Sequence, residues 1–409
     1  MVKGMKLTEI GWIPEDWEVK AIGDITEKLA GGGTPSRSIK EYWNGNIPWM
    51  TVKDFASFNG HSTQEYITEL GLKSSATRIV KASNLIIATR IALGKIVKYK
   101  VDVTINQDLK TITLSSEVNK DYFSYFYQSI ENKIIEKGSG STVLGLSIQD
   151  LYSFQIPLPP LLEQEAITGV LSDADAWIES LEQLIAKKRL IKQGAMQELL
   201  TPKEGWEVKT ILEIADGKRD LFNDGDWIES EHIFDEGIRL VQTGNIGIGK
   251  FLNKANRKYI NELSFNKLKC KELREGDLLI CRLAEPAGRA CLFPKTDDYK
   301  SVTSVDVTIY RPDVQKYDRR FLLFSLSTDQ WFTDVIEQVG GTTHKRISRG
   351  NLGRINISVP QLTEQTRIAT ILSDMDAELE ALEQQLHKAR QIKQGMMQEL
   401  LTGKIRLEL

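Results

Sequence analysis

Residues 156–200, IPLPPLLEQEAITGVLSDADAWIESLEQLIAKKRLIKQGAMQELL, and residues 357–401, ISVPQLTEQTRIATILSDMDAELEALEQQLHKARQIKQGMMQELL, are one sequence written twice. They align without gaps at an offset of 201 positions, and 26 of the 45 pairs are identical, so the segment is an internal duplication. The offset is too wide for a solenoid, in which a short unit stacks on its neighbour. Each copy instead closes a stretch of different character, which predicts globule, helix, globule, helix.

Within the first copy Ile167, Leu171, Ala174, Ile178, Leu181, Ile185 and Lys188 follow one another at alternating intervals of four and three. Ile368, Leu372, Met375, Leu379, Leu382, Leu386 and Ala389 repeat the spacing in the second. This is a heptad seam that requires a partner helix. Pro159 and Pro360 precede the periodic region, Thr363 is placed to cap the second helix, and Thr201-Pro202 and Thr402-Gly403 are stop signals. A helix of about 40 residues is roughly 60 Å long. The economical arrangement packs the two copies antiparallel with a globule at each end, giving a pseudo-two-fold molecule; the alternative docks each helix on its own globule. The near-identical IKQG and MQEL positions reflect either recent duplication or one surface shown to two identical partner subunits.

A chain of 409 residues with 41% hydrophobic and 27% charged residues is expected to be soluble and globular, with two to three domains. No apolar run approaches the roughly 18 residues of a spanning helix, and the N-terminus lacks a hydrophobic signal core, so a cytoplasmic location is expected. Cys270, Cys281 and Cys291 are odd in number without CxxC spacing, and His61, His232, His344 and His387 show no ligand spacing. Reduced thiols and no metal are expected. The net charge is −3, but residues 161–200 and 362–401 each carry seven acidic and four basic side chains. The rest of the chain is therefore +3 by difference, which permits a nucleic-acid partner without demanding one.

The expected boundaries are residues 1–155 for the first globule, 156–202 for the first helical segment, 203–356 for the second globule and 357–409 for the second helical segment. Short β-branched runs punctuated by Gly, Asn and Asp indicate sheet-rich α+β globules. A weak correspondence links them: Trp17-Glu18-Val19-Lys20 with Trp206-Glu207-Val208-Lys209, and Ile86-Ile87-Ala88-Thr89-Arg90 with Leu278-Leu279-Ile280-Cys281-Arg282. Two binding heads with different ligands would look like this.

Several side chains suit DNA. Arg90 and Lys95, like Arg282 and Arg289, flank a turn after an apolar strand, where they could reach phosphates or the acceptor edge of guanine. Asn106, Gln107, Gln242 and Asn245 are amides of the kind that read adenine. Arg37 in GGGTPSR, Lys53 downstream of it, and Lys345, Arg346 and Arg349 in GGTTHKRISR lie on or near glycine-rich segments that allow close backbone approach. Singly, each is more ordinarily a solvated surface group. No GxxxxGK[ST] phosphate loop and no [ND]PP[YFW] methyltransferase motif occurs, so the chain reads as a binder without catalysis.

The segment GGGTPSRSIKEYWNGNIPWMTVKDF, the strand-turn IIATRIALGK, INQDLKTI, and above all the twice-used PLPPLLEQ/VPQLTEQ before a long helix resemble the specificity subunits of type I restriction-modification systems. The resemblance covers essentially the whole chain. It implies two target-recognition domains, each reading half of a bipartite, non-palindromic DNA site, on an antiparallel spacer formed by Ile167, Leu171, Ala174, Ile178, Leu181, Ile185, Ile368, Leu372, Met375, Leu379, Leu382 and Leu386. It further implies two methyltransferase subunits and outer endonuclease/translocase subunits. Those partners would bring S-adenosylmethionine, ATP and magnesium, with no cofactor in this chain. A competing reading is a helical-rod adaptor for protein partners; an enzyme with an unrecognised site stands third.

Overall fold

The computed structural model describes residues 4–140, 144–283, 285–340 and 345–407. It divides into two compact units, residues 1–182 with 385–409, and residues 183–384. The division passes through both long helices, Leu161–Leu200 and Leu362–Leu400. The chain is thus a mixed α+β protein with two sheet-rich domains and two long helices.

In the first unit the apolar run Leu85–Ala88 is buried at every position and takes the centre of an antiparallel sheet, as a strand covered on both faces must be apolar throughout. The sheet order is Thr26–Gly31, Leu109–Leu114, Leu85–Ala88, Ile96–Lys98. A second sheet runs Glu65–Ile67, Trp43–Met50, Val103–Ile105, Ile79–Val80, with its middle pair parallel. Asn119 caps the helix Lys120–Ser129 by accepting from the amides of Asp121 and Tyr122, and that helix buries Tyr122, Phe123, Phe126 and Tyr127.

The second unit repeats the plan. Leu278–Cys281, again wholly buried, lies between Val307–Tyr310 and Ala290–Leu292, with Phe222–Asp224 at the edge. Ile238–Val241 pairs in parallel with Ser301–Thr303 and antiparallel with Lys258–Ile260. Asp318 caps the helix Arg319–Ser325, which buries Phe321 through Phe324.

Each globule is closed by a strand pair that joins its beginning to its end. Glu18–Ala21 pairs with Gln155–Leu158, and Glu207–Thr210 with Asn356–Val359. The opening residues of both repeats are therefore strand, and the helices begin only after Pro160 and Gln361. The carbonyls of these two residues accept from the amides of Glu163 and Gln164, and of Glu364 and Gln365. Thr363 lies within the first turn, so it is not the cap expected from sequence; the backbone of Gln361 already occupies that place.

The glutamine that follows is the fastener between head and helix. Gln164 is 1% exposed; its Oε1 accepts from the backbone amide of Asn119 at 2.8 Å, and its Nε2 donates to the carbonyls of Glu117 and Pro159. Gln365, equally buried, repeats this with the Asp318 amide and the carbonyls of Lys316 and Pro360. In both heads the bonded amide belongs to the residue that caps the globule's own helix. In the first unit Glu163 also accepts from Trp17 Nε1 at 3.0 Å, and Arg406 bridges Glu163 to Asp16.

Both docking schemes for the helices hold, at different points along them. Ile167 and Leu171 join the core of the first globule together with Leu400 and Leu401. Ile368 and Leu372 join the core of the second, with Met196, Leu199 and Leu200 packed against it. Farther along, Leu181 and Ile185 are buried, and Ala174, Ile178, Met375, Leu379, Leu382 and Leu386 are half-buried. The helices run antiparallel: Glu182 pairs with Arg390 and Asp175 with Lys393 in the first unit, and Glu383 with Arg189 and Asp376 with Lys192 in the second. These are the same two pairs with the copies exchanged. The duplicated polar positions at these points therefore face the other helix, a reason distinct from both recent duplication and a surface shown to partner subunits.

Candidate nucleic-acid interface

The residues singled out as DNA contacts separate into those whose polar atoms are engaged inside the fold and those left at the surface. Asn106 is buried, accepting from the Asp108 amide and donating to its carboxylate at 3.0 Å. Asn245 accepts from the Gln242 amide and donates to the Leu252 carbonyl, completing a capping box with the half-exposed Gln242. Asp54 makes the matching box with Thr51 in the first head. These amides hold loops. Gln107 remains exposed and accepts from Thr34.

Arg289 is likewise turned inward, with its nitrogens on the carbonyls of Ile246, Pro286 and Thr243 and on the Cys281 sulfur. Lys95, at the matching backbone position, pairs with Glu131 at 2.7 Å and is half exposed. The glycines of GGGTPSR serve a different purpose from the one expected: a Cβ on Gly32 would stand 1.9 Å from the Ile105 carbonyl oxygen. The close approach they permit is to the chain's own backbone. Residues 341–344 of GGTTHKRISR, His344 among them, lie outside the described residues.

Arg90 and Arg282, equated by sequence, occupy different positions. The amide of Thr89 donates to the Asp108 carbonyl at 2.9 Å, and the amide of Arg282 donates to the Asp306 carbonyl at 2.8 Å. Arg282 is thus the counterpart of Thr89, and Arg90 that of Leu283. A one-residue slip sends a side chain to the opposite face of a strand. Arg90 is 52% exposed, whereas Arg282 is 3% exposed, donating to the carbonyls of Ile347 and Val305 with Nε 3.1 Å from Asp224. Burial pulls its guanidinium below the ordinary arginine pKa, the Asp224 carboxylate opposing the shift.

At the surface, Arg37 lies over the Trp43 ring at 3.8 Å and is held by both oxygens of Glu65. That bond raises the arginine's pKa and lowers the carboxyl's. Arg346 pairs with Asp306 at 3.0 Å, and Arg349 bonds Asn223 at 2.9 Å beside Asp224. Lys53 and Lys345 are exposed. With Arg90 3.4 Å from Asp108 and Lys95 on Glu131, Arg37, Arg90, Lys95, Arg346 and Arg349 each face a carboxylate, which leaves little unopposed positive field for phosphates. Directional donors remain, and these suit base edges better than a polyanion. The partner carboxylates Asp108 and Asp306 were not anticipated, although an aspartate preceding an apolar strand in both heads was the available signal.

The cysteines are buried and unpaired, and burial pushes Cys270 up to about 11 and Cys291 up to about 12, so they stay thiols. Among the described residues no cluster of His, Cys, Asp and Glu could hold a metal, and no helix is long and apolar enough to cross a membrane.

A specificity subunit named for MjaIX, from Methanocaldococcus jannaschii, is 24% identical over 433 residues, covering 98% of this chain and 96% of its own. The EcoR124I/EcoR124II specificity subunit of Escherichia coli is 32% identical over 183 residues, 43% of this chain and 45% of its own. Among solved structures, the type I restriction-modification S subunit from M. genitalium matches over 100% of both chains with a TM-score of 0.59 at 16% identity, a likeness of fold. The sequence model of the type I restriction modification DNA specificity domain matches residues 14–188 and again 203–391, one copy for each head with its helix, and the chain belongs to that family.

Proposed function

We propose that this chain is the sequence-reading subunit of a type I restriction-modification complex, in which each sheet-rich head reads one half of a bipartite, non-palindromic DNA site. The observation that carries this reading is one two-sheet head built twice on a single chain, with different side chains at matching surface positions. A symmetric dimer would read a palindrome; two unlike heads read two unlike half-sites. The paired helices set the distance between them and seat two methyltransferase subunits, with endonuclease/translocase subunits outside. S-adenosylmethionine, ATP and magnesium belong to those partners, and the present chain contributes recognition without catalysis. The carboxylate-paired cations of the heads fit such a division of labour, with the partners supplying the field that holds the phosphates.

The test is adenine methylation mapped across the genome of a methylation-free host that expresses the chain with its neighbouring methyltransferase. A split motif absent from cells with the methyltransferase alone is the expected result. No motif, with the proteins still co-purifying, would turn the reading toward the helical adaptor.

A further inference from the structure

A second equivalence between the heads lies at the strand end. Arg90 forms an isolated antiparallel bridge with Gly145, and Leu283 forms the matching bridge with Arg346. Gly145 also bridges Ser139 in the first head, as Arg346 bridges Gly340 in the second. The arginine has changed sides: it stands on the strand-end residue in one head and on the residue opposite in the other.

Both guanidiniums nonetheless meet the same carboxylate. Asp108 and Asp306 are counterparts, each accepting through its carbonyl the amide that fixes the strand end. Arg90 Nη1 lies 3.4 Å from Asp108 Oδ1, and Arg346 Nε lies 3.0 Å from Asp306 Oδ1. Both aspartates are mostly buried, at 10% and 23% exposure, and the arginines are open to solvent at 52% and 36%. Asp108 is itself held by Asn106. Each arginine keeps a two-donor edge with no partner among the described residues, Nε with Nη2 in Arg90 and Nη1 with Nη2 in Arg346.

A guanidinium beside a largely buried carboxylate is poorly suited to attract phosphate, because the pair is nearly neutral, but its remaining fork is turned away from that carboxylate. Such a fork matches the O6 and N7 acceptors of guanine in the major groove. The turn beyond Arg90 adds a separate sign of function: Ile91, β-branched and exposed, sits at φ 65°, a left-handed conformation costly for that residue type and one that concentrates at functional sites.

We infer that Arg90 with Asp108 and Arg346 with Asp306 are equivalent guanine-reading pairs, one in each head, and that Arg282 is a structural residue. This rests on the DNA-reading role proposed above. The test uses the full chain with its methyltransferase partners and a duplex library randomised across both half-sites, with methylation as readout. The unaltered chain should select guanine at one position in each half-site. Arg90→Ala should relax that guanine in one half-site and Arg346→Ala in the other, by about 5- to 150-fold in discrimination, each leaving the opposite half intact. Arg90→Lys and Arg346→Lys keep the charge and lose the fork, and should relax the same positions while the complex still assembles.

Lysine variants that discriminate as the unaltered chain does would overturn base reading, as would alanine variants with an unchanged motif or with equal losses in both half-sites. If the unaltered chain directs no split motif at all, the DNA-reading role itself falls, an outcome separable from failure of the arginine assignment.

Discussion

At the scale of single residues, the side chains that fasten each head to its helix are more decisive than the exposed cations around them. Gln164→Ala would strand the Asn119 amide and two carbonyls in a buried setting, as Gln365→Ala would strand the Asp318 amide. We expect either change to lower stability by about 3 kcal/mol in a thermal or urea melt. The glutamine was legible as part of a duplicated motif, but its role was not, because two of its three main-chain partners lie 45 and 47 residues away. Arg282 illustrates the opposite error. A matching letter in an approximate alignment suggested a matching place, and a one-residue shift, in a head whose following turn carries an extra residue, put it inside. Arg282→Met should therefore reduce the yield of folded protein without relaxing one base position. Asp16 offers a pH test: its bond to Arg406 holds the carboxyl below its ordinary range. A lowered folded pKa stabilises above the unfolded value, about 4, and that contribution disappears as pH falls through the folded value. The deficit of Asp16→Asn should be full at neutral pH and shrink below about pH 4 in stability curves.

At the scale of elements, the seven-residue period made the two long helices readable, since proline, periodicity and stop signals agreed, although the expected segments 156–202 and 357–409 each open on a strand. The period alone could not show that one stripe serves two purposes. Ile167 and Leu171 fill a globule core, whereas Leu181 lies on the stretch that packs helix against helix, and both need the same apolar side chains. Leu181→Asp should cost about 3 kcal/mol through desolvation of its charge and should disrupt assembly with the methyltransferase in size-exclusion chromatography. The reciprocal ion pairs act differently. They are substantially exposed, at 63% and 50% for Arg189 and Glu383, so reversing one charge should cost under about 1 kcal/mol and reversing both should restore it. Their contribution is to fix direction and register, while the apolar seam supplies the stability.

At the scale of the molecule, the duplication was the most legible feature of all, and the α+β class of the heads followed from strand-like runs between turn residues. The sheet orders were out of reach of sequence, because the parallel pairings of Trp43–Met50 with Val103–Ile105 and of Ile238–Val241 with Ser301–Thr303 join segments about 60 residues apart. Under the proposed spacer role, adding one heptad to both helices keeps the seam in phase and adds about 10.5 Å. The preferred gap between half-sites should then grow by about three base pairs with the half-site sequences unchanged, as read by methylation mapping. A heptad added to one helix alone should impair assembly, since its seam would lack an opposite.

The arginine that sits on one side of a bridge in the first head and on the other side in the second bears on how such proteins diversify. One chemical group can be delivered to one place from either of two chain positions, so a change of sequence at a recognition loop need not be a change of specificity. Under the proposed reading two heads demand the same base although the arginine stands in different columns of their alignment, and a preference survives the move of a residue across the bridge with the strand beneath it unchanged.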